Sequence, residues 1–99
     1  MSPLMNISTS GMQAAQLRLN ASANNVANSQ TDGFRADRVQ QQAQAGGGVT
    51  AQVEKLPTPG VNLLEERVEQ MSASLTFKAN AQMVKTADQT MGRWLDTRA

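Results

Sequence analysis

The chain has 99 residues, enough for one domain at most, and its apolar content leans on alanine and methionine rather than on Leu, Ile, Val and Phe, so it is expected to need partners to hold its elements in place. A net charge of +1 and only three aromatic side chains give neither the basic surplus nor the stacking platforms that nucleic-acid binding requires. The absence of Cys and His removes disulfides, thiolate sites and the commonest general base and metal ligand, so most hydrolytic and metal chemistry is excluded and no cofactor is expected.

Ser2 as cap and Pro3 at the first helical position predict a helix running to about Asn28. Met5, Met12, Leu19 and Val26 recur at seven-residue spacing, with Ser8, Ala15 and Ser22 each three residues after one of them. That is the pattern of a coiled-coil seam with large residues at one core position and small ones at the other, which implies close helix approach. Gly11 inside it reads either as a tolerated glycine near a frayed end or as a point where another backbone comes close. Residues 1–27 lack the charged start and apolar middle of a secretory signal peptide, and no apolar run anywhere approaches a membrane span, so neither a cleaved leader nor direct membrane insertion is expected.

Asn24, Asn25 and Asn28 crowd the helix end, and Thr31, Asp32 and Gly33 follow before Phe34. Asn and Gly accept the left-handed conformation that closes a helix, so this stretch predicts a cap and a turn, with Phe34 as an apolar stopper. From Arg35 to Gly60 the helical period is lost. Two short polar stretches, 39–44 and 49–56, flank Gly46, Gly47 and Gly48, which predicts either a weak two-stranded hairpin or a flexible arm. The glycine triplet lacks the Lys and Ser or Thr of a phosphate loop and reads as a linker. Pro57 and Pro59 block an early helix. The chain therefore divides into 1–34, a helix and Asn-rich turn; 35–60, the hairpin or linker; and 61–99, a second helix.

Asn62 is placed to cap that second helix, with Glu65 three residues on as in a capping box. Glu65, Glu66 and Glu69 lie early and Arg93 and Arg98 late, the order a helix dipole prefers, and Glu65 and Glu69, one turn apart on a shared face, read as a solvated helix start rather than as catalytic groups. Leu64, Val68, Met71 and Leu75 form one apolar stripe, expected to pair with the seam of the first helix; Val84, Ala87, Met91 and Trp94 form another. Between them the phase slips by two, bridged by Phe77, Ala79 and Met83, so the helix is expected to present two contact surfaces. At 1.5 Å per residue the helices measure roughly 39 and 52 Å, leaving an overhang of the longer one that carries Met91, Trp94 and Leu95, with Trp94 as anchor. The fold class expected is mainly α: two long antiparallel terminal helices forming a coiled-coil hairpin, with a short β-hairpin or irregular arm between them.

The run Ala23-Asn24-Asn25-Val26-Ala27-Asn28-Ser29-Gln30-Thr31-Asp32-Gly33-Phe34-Arg35 resembles the N-terminal signature of flagellar rod, hook and hook-associated axial proteins. The stretches Val61-Asn62-Leu63-Leu64-Glu65-Glu66, Phe77-Lys78-Ala79-Asn80-Ala81 and Thr86-Ala87-Asp88 are similar to the family's C-terminal signature. The resemblance spans residues 4–36 and 60–96 and is nearest to the short proximal-rod type. It implies a non-enzymatic subunit whose terminal helices pair as a coiled coil and pack side by side with copies of itself and other flagellar axial proteins. It also implies delivery by the flagellar type III export apparatus, without a cleaved signal, to the rod region of the basal body in the periplasm. Asn24, Asn25, Asn28, Thr31, Gly33, Phe34, Phe77, Asn80 and Trp94 are the assembly contacts so implied. Three positions depart from the family pattern: Leu75 stands where a basic residue or Gln is frequent, Lys78 where Glu is frequent, and Phe77 where Tyr is commoner. The middle segment, about 24 residues by the family boundaries, is also far shorter than the β-rich domain that members usually carry.

Two other classes compete. A soluble helical-hairpin adaptor or regulator of flagellar assembly would keep the helices without polymerising, and the short middle with Leu75 and Lys78 favours it. An enzyme has no convergent acid and base to rest on. The triplets Asn6-Ile7-Ser8 and Asn20-Ala21-Ser22 match the glycosylation pattern by chance, and their polar side chains are expected to bond between helices.

Overall fold

Polar caps define where each element starts and stops. The computed structural model describes residues 3–98, with side chains from Leu4 to Trp94; the expected Ser2 cap and the side chains of Leu95 and Arg98 lie outside the described residues. The elements in order are α1 (Pro3–Ala27), β1 (Asp37–Ala43), β2 (Val49–Lys55) and α2 (Leu63–Arg98). Helix α1 closes where Asn28 donates from its backbone N–H to the Asn24 carbonyl at 3.1 Å and from Nδ2 to the same oxygen at 2.9 Å. Thr31 then donates to the Asn28 carbonyl, and Gly33 turns the chain at φ +72°, a conformation that side chains bearing a Cβ disfavour. Helix α2 opens on Asn62, whose Oδ1 accepts from the N–H groups of Leu64 and Glu65 at 3.0 and 3.2 Å.

The middle segment is an antiparallel hairpin, paired from Asp37↔Lys55 to Ala43↔Val49. Gly47 and Gly48 turn its tip at φ +96° and +85°. A lone hairpin is marginal in water, and this one is supported along α1. At the tip, Ser10 Oγ accepts from the Val49 N–H at 3.1 Å while donating to the Ile7 carbonyl; at the base, Asn25 bonds the backbone of Asp37. The six strand steps from Asp37 to Ala43 cover about 20 Å and the fifteen helical steps from Asn25 back to Ser10 about 22 Å, so the two elements nearly match in length.

Helices α1 and α2 run antiparallel: Asn25 meets Glu66, Ser22 meets Gln70, Arg18 meets Glu69 and Ser72, and Gly11 meets Asn80. The buried side chains are small or polar, with Ala14, Ala15, Ala21, Ala36 and Ala73 beside Ser8, Ser22, Asn25 and Glu66. Of the expected seam, the small positions Ser8, Ala15 and Ser22 turn inward, but the large ones do not. Met5, Met12 and Leu19 are half-buried on the flank of α1, and Val26 is exposed. Leu64, Val68, Met71 and Leu75 are between 58% and 74% exposed, outside the buried α1–α2 interface. The inner face of α2 is instead Glu66, Gln70, Ala73, Phe77, Asn80, Val84 and Ala87, an unbroken alternation of four and three. The phase slip thus separates an outer stripe from an inner face that does not slip. The reason is distance: small side chains let two backbones approach closely enough to engage Arg18 with Glu69 and to bury Glu66, whereas a Leu and Met interface would hold the axes apart.

The result is a thin plank of 63 × 25 × 14 Å exposing 6901 Å². A globular chain of 10.6 kDa exposes about 5,500 Å². Helix α2 has 36 residues against 25 in α1, and past the start of α1 it carries Met91 and Trp94, both more than half exposed. Ser22 Oγ donates to the Glu66 carbonyl, as expected of inter-helix polar contacts. The buried Ser8 Oγ has no hydrogen-bond partner among the described residues.

Gly11 marks a close approach. A Cβ built on it would lie 2.7 Å from the Asn80 amide, which is itself held by donation to the Thr76 carbonyl at 2.9 Å. Alanine there gains about 1 kcal/mol of helix propensity but must expel Asn80 and break that bond, so Gly11→Ala is expected to lower the thermal midpoint. In an Asn80→Ala background the same change is expected to raise it. The same sign in both backgrounds would refute the close-approach account.

Candidate functional site

A polar knot forms where the N-terminus of α2, the end of α1 and the start of β1 meet. Glu66 is completely buried there, and both carboxylate oxygens are engaged: Arg38 Nη1 donates to Oε2 at 2.8 Å and Asn25 Nδ2 to Oε1 at 3.1 Å. Asn25 also accepts the Asp37 N–H on its Oδ1 at 2.7 Å and donates to the Asp37 carbonyl at 2.9 Å, completing a strand-like bond pair with a side chain. Asp37 in turn pairs with Lys55 at 2.9 Å and accepts from Asn24 Nδ2 at 3.1 Å. Lys55 Nζ sits 4.4 Å from the centre of the Phe34 ring, a cation–π contact that holds Phe34 against the hairpin base. A buried carboxylate is tolerable only when paired and hydrogen-bonded, and this one is both. Engaged on both oxygens, it ties three elements together.

Of the two carboxylates expected to be solvated at the start of α2, Glu65 and Glu69, Glu65 alone is exposed, facing Arg38 at 3.5 Å. Glu69 is bound by Arg18, and Glu66 is the most enclosed large side chain described. The residues singled out from sequence fall into separate places. Asn24, Asn25, Asn28, Thr31, Gly33 and Phe34 share the corner; Phe77 and Asn80 lie midway along the inner face of α2; Trp94 stands at the far end, about 42 Å from Glu66 at 1.5 Å per residue. Asp37, Arg38, Lys55 and Glu66, which complete the knot, were not distinguishable from ordinary surface charge. Only an Asn cap followed by paired acids, with Arg38 in a Gln-rich arm, hinted at it.

The outer stripe of α2 lies between two shallow grooves. One is lined by Leu64, Val68, Glu65, Glu69, Ser72 and Arg38; the other, of about 580 Å³, by Leu19, Met71, Leu75, Arg67, Lys78 and their polar neighbours. So the structure does bring Leu19 of one predicted stripe beside Met71 and Leu75 of the other, at a surface rather than in a core. Among the described residues no group of acidic side chains could hold a metal ion, and no helix is long and apolar enough to cross a membrane.

Sequence comparisons cover both helices and the corner. A family model described as flagella basal body rod protein matches residues 5–35, and one described as flagellar basal body rod FlgEFG protein C-terminal matches residues 55–97. No curated protein matches the chain. The two matched segments exclude most of the hairpin and contain Asn25, Glu66 and the outer stripe.

Proposed function

Because the chain belongs to the flagellar basal body rod protein family, whose members are structural components of the rod, we propose that it is a non-enzymatic subunit that assembles through its helices with copies of itself or with related axial chains. The observation that carries this reading is the inversion of its apolar residues: alanine fills the core while Leu64, Val68, Met71 and Leu75 face outward. An apolar seam at four-and-three spacing is the complement of another helix, so coiled-coil packing belongs between subunits rather than within one. The large positions Met5, Met12 and Leu19 on the flank of α1 and Trp94 at the overhang extend the surface available for it. Export by the flagellar type III route to the periplasmic rod region is part of the same proposal.

Purified hook and basal-body particles probed with a specific antibody, beside the cytoplasmic fraction, test it: a structural subunit is in the particle. A steady soluble pool with none in the particle would support the adaptor reading instead, which Lys78, free of any ion pair among the described residues, favours. Within the assembly reading, the corner is expected to be a contact in its own right. Gly33→Val forces a branched residue to φ +72° at a cost of about 1–3 kcal/mol, and Asn28→Ala removes the helix cap. Both are expected to reduce incorporation into particles more than they reduce helix content by circular dichroism. Equal losses would mean that the corner serves folding alone.

A further inference from the structure

The two edges of the outer stripe differ in the charge they have left to offer. On one edge Glu65 and Glu69 are engaged within the chain, by Arg38 and Arg18. On the other, Arg67 and Lys78 line the groove with Leu19, Met71 and Leu75, no acidic side chain lines it with them, and neither cation has an ion-pair partner among the described residues. The apolar residues between these edges occupy only about 60° of the helix circumference at 3.6 residues per turn. That is the narrow seam of a helix pair, and a membrane-binding helix presents a broader apolar face. From this, resting on the assembly reading above, we infer that the outer face of α2 accepts an amphipathic helix from a different polypeptide, one carrying acidic residues along the edge that meets Arg67 and Lys78.

A second copy of the chain fits this face poorly. Paired antiparallel through the stripe, Leu64 lies opposite Leu75 and Val68 opposite Met71, and each edge meets its own counterpart. Arg67 then lies about 9 Å along the axis from the partner copy's Lys78, and like charges on facing edges repel at low salt, where the screening length is about 30 Å. Paired in parallel, a copy offers Glu65 and Glu69 to the basic edge, and both already face arginines of their own chain. Charges flanking an apolar seam set partner choice in coiled coils, so the unanswered cations select against self and for an acidic helix.

The test uses the full chain and two labelled synthetic helices that share Leu and Ile at four-and-three spacing, one with Glu and one with Lys along the flanking edge, titrated by fluorescence anisotropy at low salt. The Glu-edged helix is expected to bind at least about tenfold more tightly than the Lys-edged one. In the Arg67→Glu/Lys78→Glu chain the preference is expected to reverse, and in Met71→Asn both should lose binding; all three substitutions are at exposed side chains, and circular dichroism checks that the helices persist. Equal binding of the two helices, or a preference that survives the double charge reversal, overturns the inference. So does a dimer of the chain alone that sedimentation shows to be lost in Met71→Asn, or stripe-dependent binding to phosphatidylserine vesicles in place of the Glu-edged helix. These outcomes are independent of whether the protein is found in basal-body particles, so failure here and failure of the assembly reading are separable.

Discussion

Replacing Glu66 with alanine is expected to cost about 3–5 kcal/mol, because it leaves the Arg38 guanidinium half-buried without its main partner and opens a void where three elements meet. Domains of this size are held by a net stability of only about 5–15 kcal/mol, and a chain with an alanine core sits near the bottom of that range. A measurable unfolded fraction, seen as a reduced helical signal, should therefore appear at room temperature. Arg38→Met should be similarly damaging, since it strands a buried carboxylate. The double variant Glu66→Met/Arg38→Met removes both charges together and is expected to recover most of the loss, because a buried pair can be exchanged for apolar groups of similar volume at little net cost. Asn25 keeps its two bonds to Asp37 in that background. Urea unfolding of the parent, Glu66→Met, Arg38→Met and double-variant chains gives the coupling directly; simple addition of the two single losses would show that Glu66 and Arg38 act independently.

Asn25→Leu is expected to cost about 3 kcal/mol, and its effect should be local before it is global. The substitution conserves approximate volume while depriving the Asp37 N–H of its acceptor and Glu66 Oε1 of a donor, each worth roughly 1–3 kcal/mol when left unmet in a buried position. The base of the hairpin then loses its two backbone bonds to α1 and keeps only the Asn24 bond to the Asp37 side chain, while Ser10 still holds the tip. Amide hydrogen exchange should consequently accelerate in β1 and β2 by far more than at the contact of Gly11 with Asn80. Uniform acceleration through all four elements would mean that hairpin and helices unfold as one unit.

The helices and the turn were legible, and the hairpin was one of two readings of the middle segment, because each is specified by local chemistry. Asn62 caps, Asn28 and Gly33 terminate, and Gly47 and Gly48 reverse the chain whatever they pack against. The facing of α2 was not legible, because the assumption that Leu, Val and Met turn inward fails in a chain whose helices approach through Ala and Ser. Ser8, Ala15 and Ser22 were visible as a small-residue stripe at the same spacing as the Met stripe, and it is they that took the interior. The Arg38–Glu66 pair was beyond reach for a different reason: it joins residues from an arm without helical period to a helix start where acids are ordinary. Periodicity reports which side of an element is apolar, and only the tertiary arrangement decides whether that side faces its own chain or another.

Filling the interior with alanine methyls and hydrogen-bonded polar groups also shapes how this protein responds to temperature. Exposing apolar surface raises the heat capacity of a chain and exposing polar surface lowers it, so unfolding here should carry less than the 1.2–1.5 kcal/mol/K or so usual for a domain of about 100 residues. A smaller increment flattens the stability curve and pushes cold denaturation further below freezing. The isolated subunit would then be only modestly stable at its best temperature, yet would keep nearly that same margin across a broad range. Burial of the outer Leu and Met side chains against a neighbour would restore the missing heat-capacity change, making it a calorimetric signature of assembly rather than of folding.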